Sequence, residues 1–139
     1  MQATTLCFSF AAGLMLALSQ SAQAGVPDEV RKDFAHAVYS GSPELVHNRN
    51  PQPLLRAVIV LNVTLDESDN WRAEVLRTND TQPEMLARAI ETVRRAPRIQ
   101  LNDDAKAELR RNGMVEAWLF DNDGSFQVKT LAKAQRRTL

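Results

Sequence analysis

Apolar side chains at Leu55, Ala57, Ile59, Leu61, Val63 and Leu65 alternate with Arg56, Val58, Val60, Asn62 and Thr64. One face of this segment is wholly apolar and the other mixed, which predicts a half-buried strand at the centre of a sheet. Asp66-Glu67-Ser68-Asp69-Asn70 is a cluster of turn-forming residues. Beyond it Trp71, Ala73 and Val75 alternate with Arg72, Glu74 and Leu76, so a hairpin returns beside the first strand and closes at Thr78-Asn79-Asp80. Two more strands, Met114 to Phe120 and Ser125 to Leu131, flank Asp121-Asn122-Asp123-Gly124, whose Asp-Gly pair is a strong hairpin signal.

Elsewhere the period is helical. Val30, Phe34, Ala37 and Val38 fall on one side of a short helix that begins after Pro27 and stops at Gly41. Ser42 to Pro53 has no periodicity and reads as a surface connection. A second helix has Thr81 and Glu84 spaced as a capping box, an apolar stripe of Leu86, Ala89, Ile90 and Val93, and Glu84–Arg88 and Glu91–Arg95 spacings on its outer side. Ile90 and Val93 are expected to join it to Ile59 and Leu61. Pro97 ends it, and Asn102 to Asn112 makes a shorter helix stopped by Gly113. The order predicts an α+β domain: a small antiparallel sheet in the order 2-1-3-4, a helix packed on it, and a short N-terminal helix. Trp118 and Phe120 are expected beside Val58 and Val60 on the face away from the second helix. The first helix, a partner or a second copy of the chain must cover that face.

From Leu6 to Leu18 the chain is apolar but shorter than the roughly 20 residues that span a bilayer. Ala22-Gln23-Ala24 then supplies the small-x-small pattern of a signal-peptidase site. Residues 1–24 thus read as a cleaved leader of an exported protein, although no Lys or Arg precedes the apolar run. Residues 25–53 form the N-terminal helix and connection, 54–131 the main α+β domain, and 132–139 a basic tail with Lys133, Arg136 and Arg137. The mature form is not expected to span a membrane.

Export removes Cys7, the only cysteine, so the mature chain has no thiol chemistry. All 17 basic and 17 acidic side chains lie beyond Ala24, leaving a near-neutral domain that argues against nucleic acid, where clustered cations must neutralise phosphates. His36 and His47 have no evident acid partner, and a His36, Glu44, His47 metal set matches no regular spacing. Calcium loops begun at Asp66 or Asp121 place Trp71 or Phe126 where glycine is required. Neither a phosphate-binding loop nor a nucleophile elbow is present. The expectation is a protein without catalysis or cofactor.

The strand Ala57 to Asp66, the return strand ending at Thr78, the helix Met85-Leu86-Ala87-Arg88-Ala89-Ile90-Glu91-Thr92-Val93-Arg94-Arg95-Ala96-Pro97 and the strand Val115 to Phe120 together resemble the C-terminal domain of the TonB and TolA proteins of the Gram-negative envelope. The chain departs from that pattern at Arg56 and Ala57, near Asn70, and at Thr78-Asn79-Asp80, and it is expected to lack the family's membrane anchor and long spacer. The resemblance implies a periplasmic adaptor that binds an envelope protein or peptide, partly by taking an extended segment along a sheet edge. It further implies that the edge lies at the third strand, through Met114, Glu116, Trp118, Phe120, Phe126 and Val128, with the last strand guarding it and open to displacement. A small periplasmic inhibitor, a chaperone or an accessory subunit of an envelope secretion system is the alternative. A homodimer is compatible with either.

The leader generates a direct prediction: the intact mass of the protein recovered from periplasm corresponds to a chain beginning at Gly25. A full-length chain in the cytosol would refute export.

Overall fold

A computed structural model describes residues 25–79 and 83–133. The leader, the Thr81 cap and Arg136 and Arg137 of the tail lie outside the described residues. In chain order the elements are α1 (Asp28–Gly41), β1 (Ala57–Leu65), β2 (Trp71–Thr78), α2 (Pro83–Arg95), α3 (Asp103–Arg111), β3 (Met114–Phe120) and β4 (Phe126–Val128). The sheet is antiparallel in the order β2-β1-β3-β4. This is the α+β architecture read from the sequence.

The alternation in β1 settles the layers. Ala57, Ile59, Leu61 and Val63 are fully buried, while Val58, Val60, Asn62 and Thr64 are half-exposed. Register places Ile59 opposite Trp118 and Ala57 opposite Phe120, and directly opposed residues share a face. Trp118 and Phe120 therefore stand on the helix-covered side with Ile59, correcting the expectation that they join Val58 and Val60. Val115, Ala117 and Leu119 take the other side.

Both long helices cover the same face. Phe34 of α1 stands edge-on to Trp71, with ring centroids 4.7 Å apart, and to Trp118 at 6.4 Å. The first helix thus does not fold over the Val58 face as expected. It lies beside α2, and Gly41 marks the crossing: a Cβ there would sit 2.5 Å from the carbonyl oxygen of Arg95. Gly41 is the last residue of α1 and serves close helix approach, not chain reversal.

The buried stripe of α2 is Met85, Ala89, Thr92 and Val93. Ile90 is 38% exposed and so is not the core residue the periodicity implied. The helix is rolled toward β3 because Thr92 is buried, accepting a 2.9 Å hydrogen bond from Trp118 Nε1 and donating to Ala89 O at 2.7 Å. That pairing satisfies an indole N–H that would otherwise be buried unpaired. The roll also changes the ion pairs. Glu84 meets Arg56, Glu91 meets Arg94, Arg95 meets Glu44, and Arg88 donates to Gly124 O at 2.7 Å. Tertiary partners thus take Glu84, Arg88 and Arg95 out of the expected Glu84–Arg88 and Glu91–Arg95 pairs, and Glu91 pairs instead with Arg94 of its own helix.

Helix α3 closes the end of the β1–β2 hairpin. Asn102 caps it by accepting from Ala105 N at 2.8 Å, Leu109 is buried, and Lys106 and Arg110 reach Asp69. Gly113, at φ 71°, turns the chain into β3.

The revised stripe predicts unequal truncations. Met85→Ala deletes a side chain 1% exposed and should cost about 2–5 kcal/mol in chemical denaturation, whereas Ile90→Ala should cost well under about 2 kcal/mol. Equal losses would place α2 on a different face.

Candidate functional site

A sheet of this order has two outer edges, and the two are built differently. On the β3 side, β4 pairs Phe126 with Phe120, Gln127 with Leu119 and Val128 with Trp118. The predicted strand to Leu131 is cut to three residues, because Lys129–Leu131 forms a 3₁₀ turn. Lys129 opens that turn and lies outside β4. Where β4 stops, side chains continue the closure: Val115 O accepts from Arg31 Nη1 at 2.9 Å, and Ala117 N donates to Glu116 Oε1 at 2.9 Å. Glu116 also meets the hydroxyl of Thr130.

The far side of β4 is sealed as well. Val128 N donates to the Tyr39 hydroxyl at 3.0 Å, and Phe126 O accepts from His47 N at 2.8 Å. Val46 forms a parallel bridge with Phe126, so the connection expected on the surface adds a short rail to the sheet. Gln127 donates to the carbonyls of His47 and Arg49 and accepts from Lys133 N at 3.2 Å. Lys133 Nζ reaches Asn48 O at 2.8 Å, which fixes the start of the basic tail. Burial, helped by the Glu116 carboxylate, holds the Tyr39 phenol above its ordinary pKa, against the Val128 N–H bond, which lowers it.

Met114, Glu116, Trp118, Phe120, Phe126 and Val128 are therefore brought together, but all six side chains are buried. They form the core-facing lining of β3 and β4. A partner could reach them only by unpacking β4, which exposes Phe126 and Val128 at about 1.5–3 kcal/mol each.

Sequence reasoning also missed a polar cluster. His47 was left without an acid partner, yet its Nδ1 lies 3.0 Å from Asp121 Oδ2 and 2.9 Å from Ser125 Oγ. Topology alone assembles it, since His47 precedes β1 and the other two flank the β3–β4 turn. The three residue types are those of a hydrolytic triad, but the geometry is not. Ser125 Oγ is 2.5 Å from Asp123 Oδ1, an acceptor that takes its proton, and a protonated Nδ1 serves both Asp121 and Ser125. A catalytic relay needs the two ring nitrogens on different partners, and here Nε2 is buried with none. The cluster is a clasp between the connection and the hairpin, and Asp121 Oδ1 extends it by accepting from Gln52 N at 3.1 Å. Hydrogen bonds from the Ser125 hydroxyl and backbone hold Asp123 below the usual carboxylate range. A polar cleft of about 550 Å³ opens onto the cluster, lined by His47, Asp123 and Ser125 together with Glu44, Asn48 and Arg49. Glu44 is committed to Arg95 and His36 is exposed on α1, so the drawn metal set is not assembled.

The β2 edge carries no such closure. Asp66 N donates to Asn70 O, which sets the phase of the hairpin: Arg72 and Glu74 direct their backbone toward β1, and Trp71, Ala73 and Val75 direct theirs outward. No strand pairs with that outer side among the described residues. A bulge opposite Val60 and Leu61 ends the regular run at Leu76. Val75 is 38% and Leu76 52% exposed.

Comparison with protein-family models, curated proteins and solved structures finds no match. No helix among the described residues is long and apolar enough to cross a membrane.

The clasp yields a measurable expectation. Asp121→Ala removes the carboxylate that accepts from Gln52 N and His47 Nδ1 and should cost about 1–3 kcal/mol of stability. It should also raise amide exchange at His47, whose N–H holds Phe126. Unchanged stability and exchange would show that the clasp is not structural.

Proposed function

We propose that the chain is a periplasmic protein-binding domain, an adaptor of the kind that the TonB and TolA C-terminal domains represent, which takes an extended segment of an envelope protein by strand addition. The β2 edge is the binding edge in this reading. The observation that carries it is the asymmetry of the sheet: side chains, a short strand and the 43–52 connection close the β3–β4 side, while β2 keeps a run of outward backbone donors and acceptors from Trp71 to Val75. Natural sheets blunt exposed edges, and an edge left with exposed Val75 and Leu76 invites pairing. Displacement of β4, the route implied by the resemblance, is disfavoured by the burial of Phe126, Gln127 and Val128.

Recognition in this reading is by backbone hydrogen bonding, with selectivity from flanking side chains. Arg72, Glu74 and Arg77 project from β2 and would sort partner sequences by charge.

The test is Ala73→Pro. Proline removes an outward N–H without removing a bond to β1, so the fold should persist while strand addition fails. Capture of envelope proteins by the purified chain should drop at least about tenfold, with the melting temperature shifted by only a few degrees. Capture that is unaffected by Ala73→Pro but lost on truncation after Phe120 in a folded protein would move the site to the β3 side.

A further inference from the structure

The β2 edge also specifies a strand that fits it, and we infer that this strand is β2 of a second copy. The inference rests on the reading of β2 as the binding edge. Two β2 strands related by a two-fold axis run antiparallel, and the outward phase of Trp71, Ala73 and Val75 restricts the registers that form hydrogen bonds. Centring the axis on Ala73 sets Arg72 opposite the second copy's Glu74 and Glu74 opposite the second copy's Arg72. Centring it one residue earlier or later sets Arg72 against Arg72, or Glu74 against Glu74. Like charges directly opposite are destabilising, so the sequence selects one register.

The side chains are free to use it. The side chain of Glu74, whose backbone pairs with β1, makes no hydrogen bond or ion pair among the described residues. Arg72 holds Asp66 through Nε and Nη2, at 3.1 and 3.0 Å, which leaves Nη1 for a second carboxylate. On the helix-covered face the same register lays Trp71 against the second copy's Val75, and Val75 against the second copy's Trp71. Each exposed valine thereby gains an aromatic neighbour.

Exposed apolar groups concentrate at this edge. Of the large hydrophobic side chains exposed among the described residues, Val75 and Leu76 belong to β2 and Ile90 to α2, leaving only Leu54 and Val115 elsewhere. Ile90 lies on the flank of α2 opposite Thr92. Since Thr92 holds Trp118 of β3, that flank is turned toward β2 and toward the axis. A two-fold contact of this kind is self-complementary by construction. The hairpin turn and the bulge at Leu76 limit it to a short ladder, placing it at the weak end of protein interfaces, below about 1,200 Å².

The experiment is sedimentation equilibrium on the protein purified after its own processing. The wild type should pass from monomer toward dimer between about 10 µM and 1 mM. Glu74→Arg alone sets Arg72 against an arginine, and Arg72→Glu alone sets a glutamate against Glu74, so each variant should remain monomeric at concentrations where the wild type dimerises. Mixed one to one, the two variants restore an Arg–Glu pair at both positions and should form a heterodimer. Melting temperatures close to wild type show that each variant is folded. A wild type that stays monomeric to about 1 mM, or a dimer that Glu74→Arg leaves intact, overturns the self-pairing. In that event, loss of envelope-protein capture in Ala73→Pro would keep β2 as an edge for a foreign strand, and its retention would remove both readings.

Discussion

The placement of Phe34 against Trp71 and Trp118 is the contact on which the rest of the structure depends. It ties the N-terminal helix to the first return strand and to the third strand at once, over β1. Trp118 is fully buried, and its indole nitrogen holds Thr92 of α2. One aromatic group therefore sets α1 and α2 on the same side of the sheet, and burial of the three rings outweighs any single exposed ion pair.

Committing both helices to one face has consequences for the other. Val58, Val60, Ala117 and Leu119 remain half-exposed, in a sheet mixed enough in composition to stand in water on that side. The connection after α1 is drawn around β4, where His47 and Gln127 anchor it. Its polar groups are spent on holding a strand of only three residues, which explains why so short a strand is fully buried. Closure of one edge and exposure of the other are thus two results of the same packing decision.

This arrangement also separates chemistry from resemblance of residue type. A serine, a histidine and an aspartate meet, but one nitrogen serves both partners and the serine proton is committed to Asp123. The cluster acts as a fastener. The backbone of β2, by contrast, has no chemistry of its own and offers unspent hydrogen bonds beside opposite charges at Arg72 and Glu74, which is what recognition by strand addition requires.

The sequence by itself determined the elements, their order and the sheet's neighbours. Period-two alternation in β1, the Asp-rich turns and the glycine stops at Gly113 and Gly124 are local signals, and they place a strand or turn without reference to distant residues. Tertiary structure alone decided which face each element shows. Trp118 changed sides because antiparallel register sets it opposite Ile59, and Ile90 left the core because Thr92 is drawn to Trp118. It also brought His47 to Asp121 across the whole of β1, β2 and β3, and sealed β3 with Arg31. Such pairings depend on separations of dozens of residues, and no periodicity along the chain encodes them.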